Sequence, residues 1–169
     1  KVVLPKRSSI AILSWPRSTS SFNSTAMSEG EIHSQLVVAM IKAITEAAGK
    51  PPALFSDCIS IHEHWRSPII GGSRPDVLAR ESNGKTTIGE AKTLSDIDNL
   101  HTRAQFKQFF EHLCTTREGT LWISVPLGGA GEALRVAREV RSSVKCLNVK
   151  IVLSGWLIGR SFFERRWID

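Results

Sequence analysis

Asp76, Glu90 and Lys92 have the residue types and spacing that could do metal-assisted or acid–base chemistry. Asp76 lies in Arg74-Pro75-Asp76-Val77, and the other two in Ile88-Gly89-Glu90-Ala91-Lys92. On a strand, residues two apart leave the same face, so Glu90 and Lys92 stand side by side. Their neighbours Ile88, Gly89 and Ala91 are small or apolar, which argues for a buried central strand. A lysine there would be costly without carboxylate partners. An ammonium and a carboxylate together, with a second carboxylate on the next strand, can hold a hard divalent cation and a water molecule.

Whether Asp76 joins them depends on the turn Ser82-Asn83-Gly84-Lys85, which lies between two strand-like runs. A two-residue Asn83-Gly84 loop would set Asp76 opposite Ala91, with its side chain on the wrong face. A three-residue Ser82-Asn83-Gly84 loop, with Gly84 left-handed, would pair Glu81 with Lys85. Asp76 then falls opposite Glu90, with Cβ atoms roughly 5 Å apart. The residues permit both loops, and the second is the expectation.

Pro75-Asp76 and Glu90-Ala91-Lys92, with 14 positions from Asp76 to Glu90, resemble the signature of the PD-(D/E)xK nuclease superfamily. The context is similar too: a helix before, a hairpin carrying both halves, and a helix containing Gln105 after. The resemblance spans residues 28–154 and implies a restriction-endonuclease-like fold. It further implies Mg²⁺- or Mn²⁺-dependent hydrolysis of DNA phosphodiester bonds by a resolvase-like or restriction-like endonuclease. By the same resemblance Asp76, Glu90 and the Ala91 carbonyl would hold the metal, with Glu31 from the first helix. Lys92 would orient or deprotonate the attacking water, and Gln105 would position Lys92 or the substrate. Glu31 has a second reading, as the capping partner of Ser28. Gln108 rivals Gln105, and Phe109 stands where related families commonly carry Tyr. Two-strand cutting would call for a homodimer, and a chain of this size leaves specificity to DNA shape or to a partner. The competing readings are a non-catalytic module that binds nucleic acid or a protein, and an unrelated α/β domain whose charges are structural.

The elements that must position these residues follow from periodicity. Ser28-Glu29-Gly30-Glu31 is a capping box, followed by an apolar stripe of Ile32, Leu36, Met40, Ala43, Ile44 and Ala47. That helix should stop near Gly49, before Pro51-Pro52. A strand is expected over 58–65, then a loop with Gly71-Gly72, then the hairpin. Further elements are a helix over 99–114 on Phe106, Phe109, Phe110 and Leu113, and a strand over 121–125. A helix over 131–143 and a strand over 149–153 come next, and then an irregular or short helical tail over 155–169. The order αβββαβαβ is an α/β fold, a central mixed β-sheet flanked by helices, with helical crossovers after Lys92.

The 169 residues are 41% apolar, enough to bury one core. Residues 1–27 read as a basic Ser/Pro-rich arm and 28–169 as one domain. The arm carries four of the charges behind a net +6, which suits a polyanionic partner, and the resemblance implies DNA sooner than RNA. Candidates for nucleic-acid contact are Arg74, Arg135 and Arg138; the last two share a helix face with Arg141 and could equally pair with Glu132 and Glu139. Arg160, Arg165 and Arg166 alternate with Phe162, Phe163 and Trp167, fitting nucleic-acid contact or a dimer surface. His62 and His64 would share a strand face, with no third ligand nearby. Gly128-Gly129-Ala130-Gly131 lacks the Lys-Ser/Thr of a phosphate loop. Cys58, Cys114 and Cys146, without CxxC spacing, suggest a reducing compartment, cytoplasmic or nucleoid-associated or nuclear. No run of 18 apolar residues would span a membrane.

Overall fold

The computed structural model describes residues 27–58, 66–157 and 163–169. In chain order these form α1 (Glu29–Ala47), β1 (Ala53–Ser56), β2 (Val77–Arg80), β3 (Lys85–Ala91), α2 (Leu100–Cys114), β4 (Glu118–Pro126), α3 (Ala130–Ser143), β5 (Lys150–Leu157) and β6 (Phe163–Ile168). The strands make one mixed sheet in the order β1-β2-β3-β4-β5-β6. β3–β4 and β4–β5 pair in parallel, and the other neighbours are antiparallel. The two parallel steps pass through α2 and α3. Crossovers of one hand put both helices on the same side of the sheet.

That side holds the larger core, with Phe106, Phe109, Phe110 and Leu113 of α2 and Val136, Ala137 and Val140 of α3 against Leu78, Ile88, Leu121, Ile123 and Leu153. The opposite face is covered by α1, whose Leu36, Val37, Met40, Ile41 and Ile44 meet Val77, Ala79, Ala91, Trp122 and Val152. Alternate residues of each strand therefore serve opposite cores, which is why β3 and β4 read as unbroken apolar runs. α1 lies close to β3 because Gly89 has no side chain: a Cβ there would come within 3.0 Å of the Met40 sulfur and 3.1 Å of the Val77 Cβ.

The capping box at Ser28 forms as expected, with the Ser28 side chain accepting from the Glu31 amide and the Glu31 carboxylate accepting in return. The stripe of α1 is broader than its apolar spacing suggested. Val37 and Ile41 are buried, and Ala47 is exposed at the last turn. Asn99 caps α2 by accepting from the Thr102 amide at 2.8 Å.

Two expectations need correction. The strand preceding the hairpin is Ala53–Ser56, directly after Pro51-Pro52, and Cys58 is not in a strand. A four-residue edge strand gives little periodic signal, and a proline before it costs nothing at an edge. Residues 59–65, including His62 and His64, lie outside the described residues, as do residues 1–26 of the basic arm. The tail is not irregular either: β5 runs on to Leu157, and β6 returns antiparallel to it, from Leu157↔Phe163 to Val152↔Ile168. Of that arginine and aromatic run, Arg165 and Trp167 share one face of β6 and Arg166 takes the other, while Arg160 and Phe162 lie outside the described residues. Trp167 packs into the larger core, while Arg166 stacks 4.8 Å from the Trp122 ring centroid on the other face. Among the described residues no helix is long and apolar enough to cross a membrane.

Candidate functional site

The register of the hairpin builds the site. Glu81 N–H donates to the Lys85 carbonyl at 2.9 Å, Gly84 N–H donates to the Glu81 carbonyl at 3.0 Å, and Gly84 has φ +89°. This is the three-residue loop, and the pairs Val77↔Gly89 through Arg80↔Thr86 follow from it. One step beyond Val77, at the bend where β2 begins, Asp76 faces Glu90. Two hydrogen bonds lock the pair reciprocally: Ala91 N–H donates to Asp76 Oδ2 at 2.7 Å, and Asp76 N–H donates to Glu90 Oε2 at 3.3 Å.

Glu90 and Lys92 leave β3 toward α2, as the shared face required. Lys92 Nζ sits 2.9 Å from Glu90 Oε1 and donates to Gln105 Oε1 at 2.7 Å. Glu90, Lys92 and Gln105 expose only 3%, 8% and 8% of their surface, so this ammonium is held in a nearly dry pocket. Two of its three protons have named partners, and one is left for a further acceptor. Gln105, one turn before Phe109 on α2, is thus the glutamine that reaches the cluster. Gln108 packs instead beneath the Gly71 turn, where a Cβ on Gly71 would meet its side chain at 2.8 Å.

Burial and the neighbouring Asp76 charge push the Glu90 carboxyl up to about 7, against the opposing pull of Lys92. The site therefore holds more negative charge than its own lysine offsets. His33 supplies part of the remainder: its Nε2 lies 3.3 Å from Asp76 Oδ2, and that hydrogen bond raises the imidazole above its ordinary value despite partial burial.

Glu31 does not join the cluster. Its carboxylate is exposed and turned back onto the Ser28 amide and hydroxyl, at 2.8 and 3.0 Å. Two residues along a helix is about 200° of rotation, so Glu31 points away from the side that carries Glu29 and His33. Those two are the residues of α1 that sequence reasoning missed. Glu29 accepts from Thr93 Oγ1 at 2.7 Å and from the Ser95 hydroxyl, and Thr93 is the residue after Lys92. A usable signal existed: Glu29 and His33 extend the Leu36–Met40 stripe one and two turns toward the N-terminus, where an inward-facing stripe turns polar.

The arginines proposed for nucleic acid are engaged with the protein. Arg135 pairs with Asp98 and Glu139, both at 2.7 Å, and Arg138 grips Asp169 through two contacts of 3.1 Å. Arg74 donates to the Ser67 carbonyl and lies 3.5 Å from Asp57, bracing the segment that leads into Pro75-Asp76.

The donor set fits a hard divalent cation. Asp76 and Glu90 offer carboxylate oxygens. The Ala91 amide is turned toward β2, so its carbonyl, on the same edge of the strand, is turned there as well. The two carboxylates are held side by side by the Ala91 and Asp76 amides, so an added cation would meet both. Among the described residues no group of three or more His, Cys, Asp or Glu side chains is arranged to hold a metal. Most of any coordination shell would therefore come from water or substrate, a condition Mg²⁺ tolerates.

Neither a scan of protein-family models nor a search of curated proteins returns a match for this chain. Among solved structures, the chain is similar to Pyrococcus furiosus SfsA, determined in complex with Ca²⁺, at 17% identity and a TM-score of 0.38. The match covers 60% of this chain and 52% of that one, so the chain spans about half the length of that protein.

Proposed function

We propose that this chain is a metal-dependent nuclease that hydrolyses phosphodiester bonds, with DNA as substrate. The observation that carries the reading is the buried Lys92 ammonium, clamped between Glu90 and Gln105 beside the paired carboxylates Asp76 and Glu90. An ion pair kept only for stability has no need of a second carboxylate that raises the first. Charge imbalance of this kind at the end of a sheet is characteristic of working sites.

Asp76, Glu90 and the Ala91 carbonyl would hold the cation. When bound, it would neutralise charge on the phosphate and lower the pKa of a water. The remaining steps belong to the chain's own residues. Lys92, fixed by Gln105, has one N–H left to hydrogen-bond to and orient the attacking water or a phosphate oxygen, and would stabilise the negative charge that develops in the transition state. Glu90 holds the ammonium in register. Asp76 is oriented by the Ala91 amide and His33 through Oδ2, so its other oxygen remains available.

The test is cleavage of supercoiled plasmid, linear duplex and a four-way junction with Mg²⁺, Mn²⁺ or EDTA, by the wild type and by Lys92→Ala. Cutting that needs metal and is lost in the variant supports the nuclease. Nucleic-acid binding without cutting on any substrate would replace it with the non-catalytic module.

A further inference from the structure

We propose that a cleft beside the reaction centre receives a base turned out of the nucleic-acid stack, and that Glu29 reads an exocyclic amino group on that base. The inference rests on the nuclease reading and names the part of the substrate that selects where it acts. The cleft, about 540 Å³, opens at the carboxyl ends of β3, β4 and β5, with Ile32, Leu94, Leu127 and Trp156 in its walls. Glu29, Thr93 and Ser95 form its polar edge. The two places are linked through α1: Glu29 and His33 lie one turn apart on one side of the helix, His33 reaching Asp76 while Glu29 edges the cleft. A nucleotide whose phosphate lies at Lys92 would therefore present its own base, or its neighbour's, to this cleft.

Charge decides which part of a nucleic acid fits. Among the described residues no Lys, Arg or His lines the cleft, while Glu29 contributes a carboxylate. A phosphodiester backbone would be repelled, whereas an uncharged planar ring gains from the apolar walls. Volume is adequate, because the space falls within the range of small-molecule pockets. The Thr93 and Ser95 hydroxyls hold the Glu29 carboxyl below its usual range and fix its orientation, leaving it an acceptor. Carboxylates read the amino group of cytosine in this way, and thymine has none to offer. Leu94, 61% exposed, and Leu157, 54% exposed, leave apolar surface at the mouth, where a stacked duplex would gain nothing and an unstacked base would.

The test is an abasic scan. Binding of a labelled single strand of about 12 nucleotides is measured by fluorescence anisotropy in EDTA, with one base removed at a time, for the wild type, Leu94→Glu and Glu29→Gln. The expected result is one position whose loss weakens wild-type binding about tenfold, while the other positions change little. Leu94→Glu, at an exposed site, should flatten that profile. Cytosine at the sensitive position should bind better than thymine, and Glu29→Gln should erase the difference. A flat scan in the wild type, an unchanged profile in Leu94→Glu, or no binding at all overturns the cleft. Cutting of the same strands in Mg²⁺ is read separately. A flat scan with cutting removes the cleft and leaves the nuclease, and a single sensitive position without cutting does the reverse.

Discussion

Two groups of charges in this molecule use similar residue types to opposite ends. On the outer surface of α2 and α3, Asp98 is held between Arg103 at 2.6 Å and Arg135 at 2.7 Å, Glu139 bridges the same two arginines, and Asp169 closes on Arg138 and Arg141. Every carboxylate there has at least as many cations beside it as it needs, and Arg103 and Arg135 draw the Asp98 carboxyl down to about 2. At the end of the hairpin Lys92 is buried against Glu90 alone, beside a half-buried Asp76 that turns to His33, and the Glu90 carboxyl moves the other way, to about 7. The surface group faces water and is balanced. The inner group is dry at Glu90, Lys92 and Gln105, and sets two carboxylates against one lysine and the His33 imidazole. Charge placed for stability is neutralised where it stands, and charge left unbalanced in a dry site points to a ligand that completes it.

Substitutions at the two places should separate them most sharply. Lys92→Ala or Asp76→Ala should lower cleavage by roughly 10²–10⁴-fold with folding nearly intact, read from initial rates and circular dichroism of the purified variants. Retained activity in either would sink the site assignment. Asp98→Asn should leave cleavage within about twofold of the wild type, since surface substitutions seldom reach a site they do not touch.

A cation should stabilise one region and not the other. Mg²⁺ or Ca²⁺ at about 100 times its dissociation constant should add about 2.7 kcal/mol to the unfolding free energy. Asp76→Asn should abolish that gain and Asp98→Asn should keep it, as followed by thermal melts with and without EDTA.

The pH dependence should have opposite slopes. A folded-state carboxyl raised from 4.5 to about 7 keeps a proton that the unfolded chain has released, so its contribution to stability is lost as pH rises through that window. His33, also raised, acts in the same sense: its partnered charge is present below its ordinary 6.5 and lost above its folded value. Asp98, lowered from 3.8 to about 2, contributes above 3.8 and loses that contribution as pH falls toward 2. Urea titrations without metal should therefore show stability falling from pH 5.5 to 8. Asp76→Asn should reduce that slope, while Asp98→Asn should lower stability by a constant amount above about pH 4 and change the slope only on the acid side.

The smallest effect is expected from salt. The stability difference between the wild type and Asp98→Asn should vanish near 1 M NaCl, where exposed pairs are screened. The Glu90–Lys92 pair, buried, should respond far less.

What the chain discloses in its residue order follows how locally each feature is determined. The capping box and a turn at Asn83-Gly84 depend on residues a few positions apart and could be read directly, whereas the pairing of Asp76 with Glu90 hung on a loop length that the residues left open between two values. Gln105 was reachable because it lies one turn before Phe109 on a strongly apolar helix. β1 and β6 escaped because an edge strand is defined by its partner: Ala53–Ser56 is too short to show a period, and Phe163–Ile168 finds its register only against β5. Glu31 was drawn into the site by its helix position, yet the Ser28 cap, three residues away, claims its carboxylate. His33 belongs to a helix and Asp76 to a hairpin that meet only in the folded sheet, and so no spacing rule connects them.

The turn at Ser82-Asn83-Gly84 carries one more consequence, for what changes of length this gene could survive. Exposed hairpin loops are ordinarily where insertions and deletions do least harm. Here a single codon lost or gained would shift β2 by one residue against β3, turning Val77 and Ala79 from the α1 core toward the α2 core and sending the Asp76 side chain to the opposite face. Substitution at Ser82 or Asn83 leaves the spacing alone. Ser82 should therefore vary freely and Asn83 at small cost, while Gly84 and the length of the loop stay fixed.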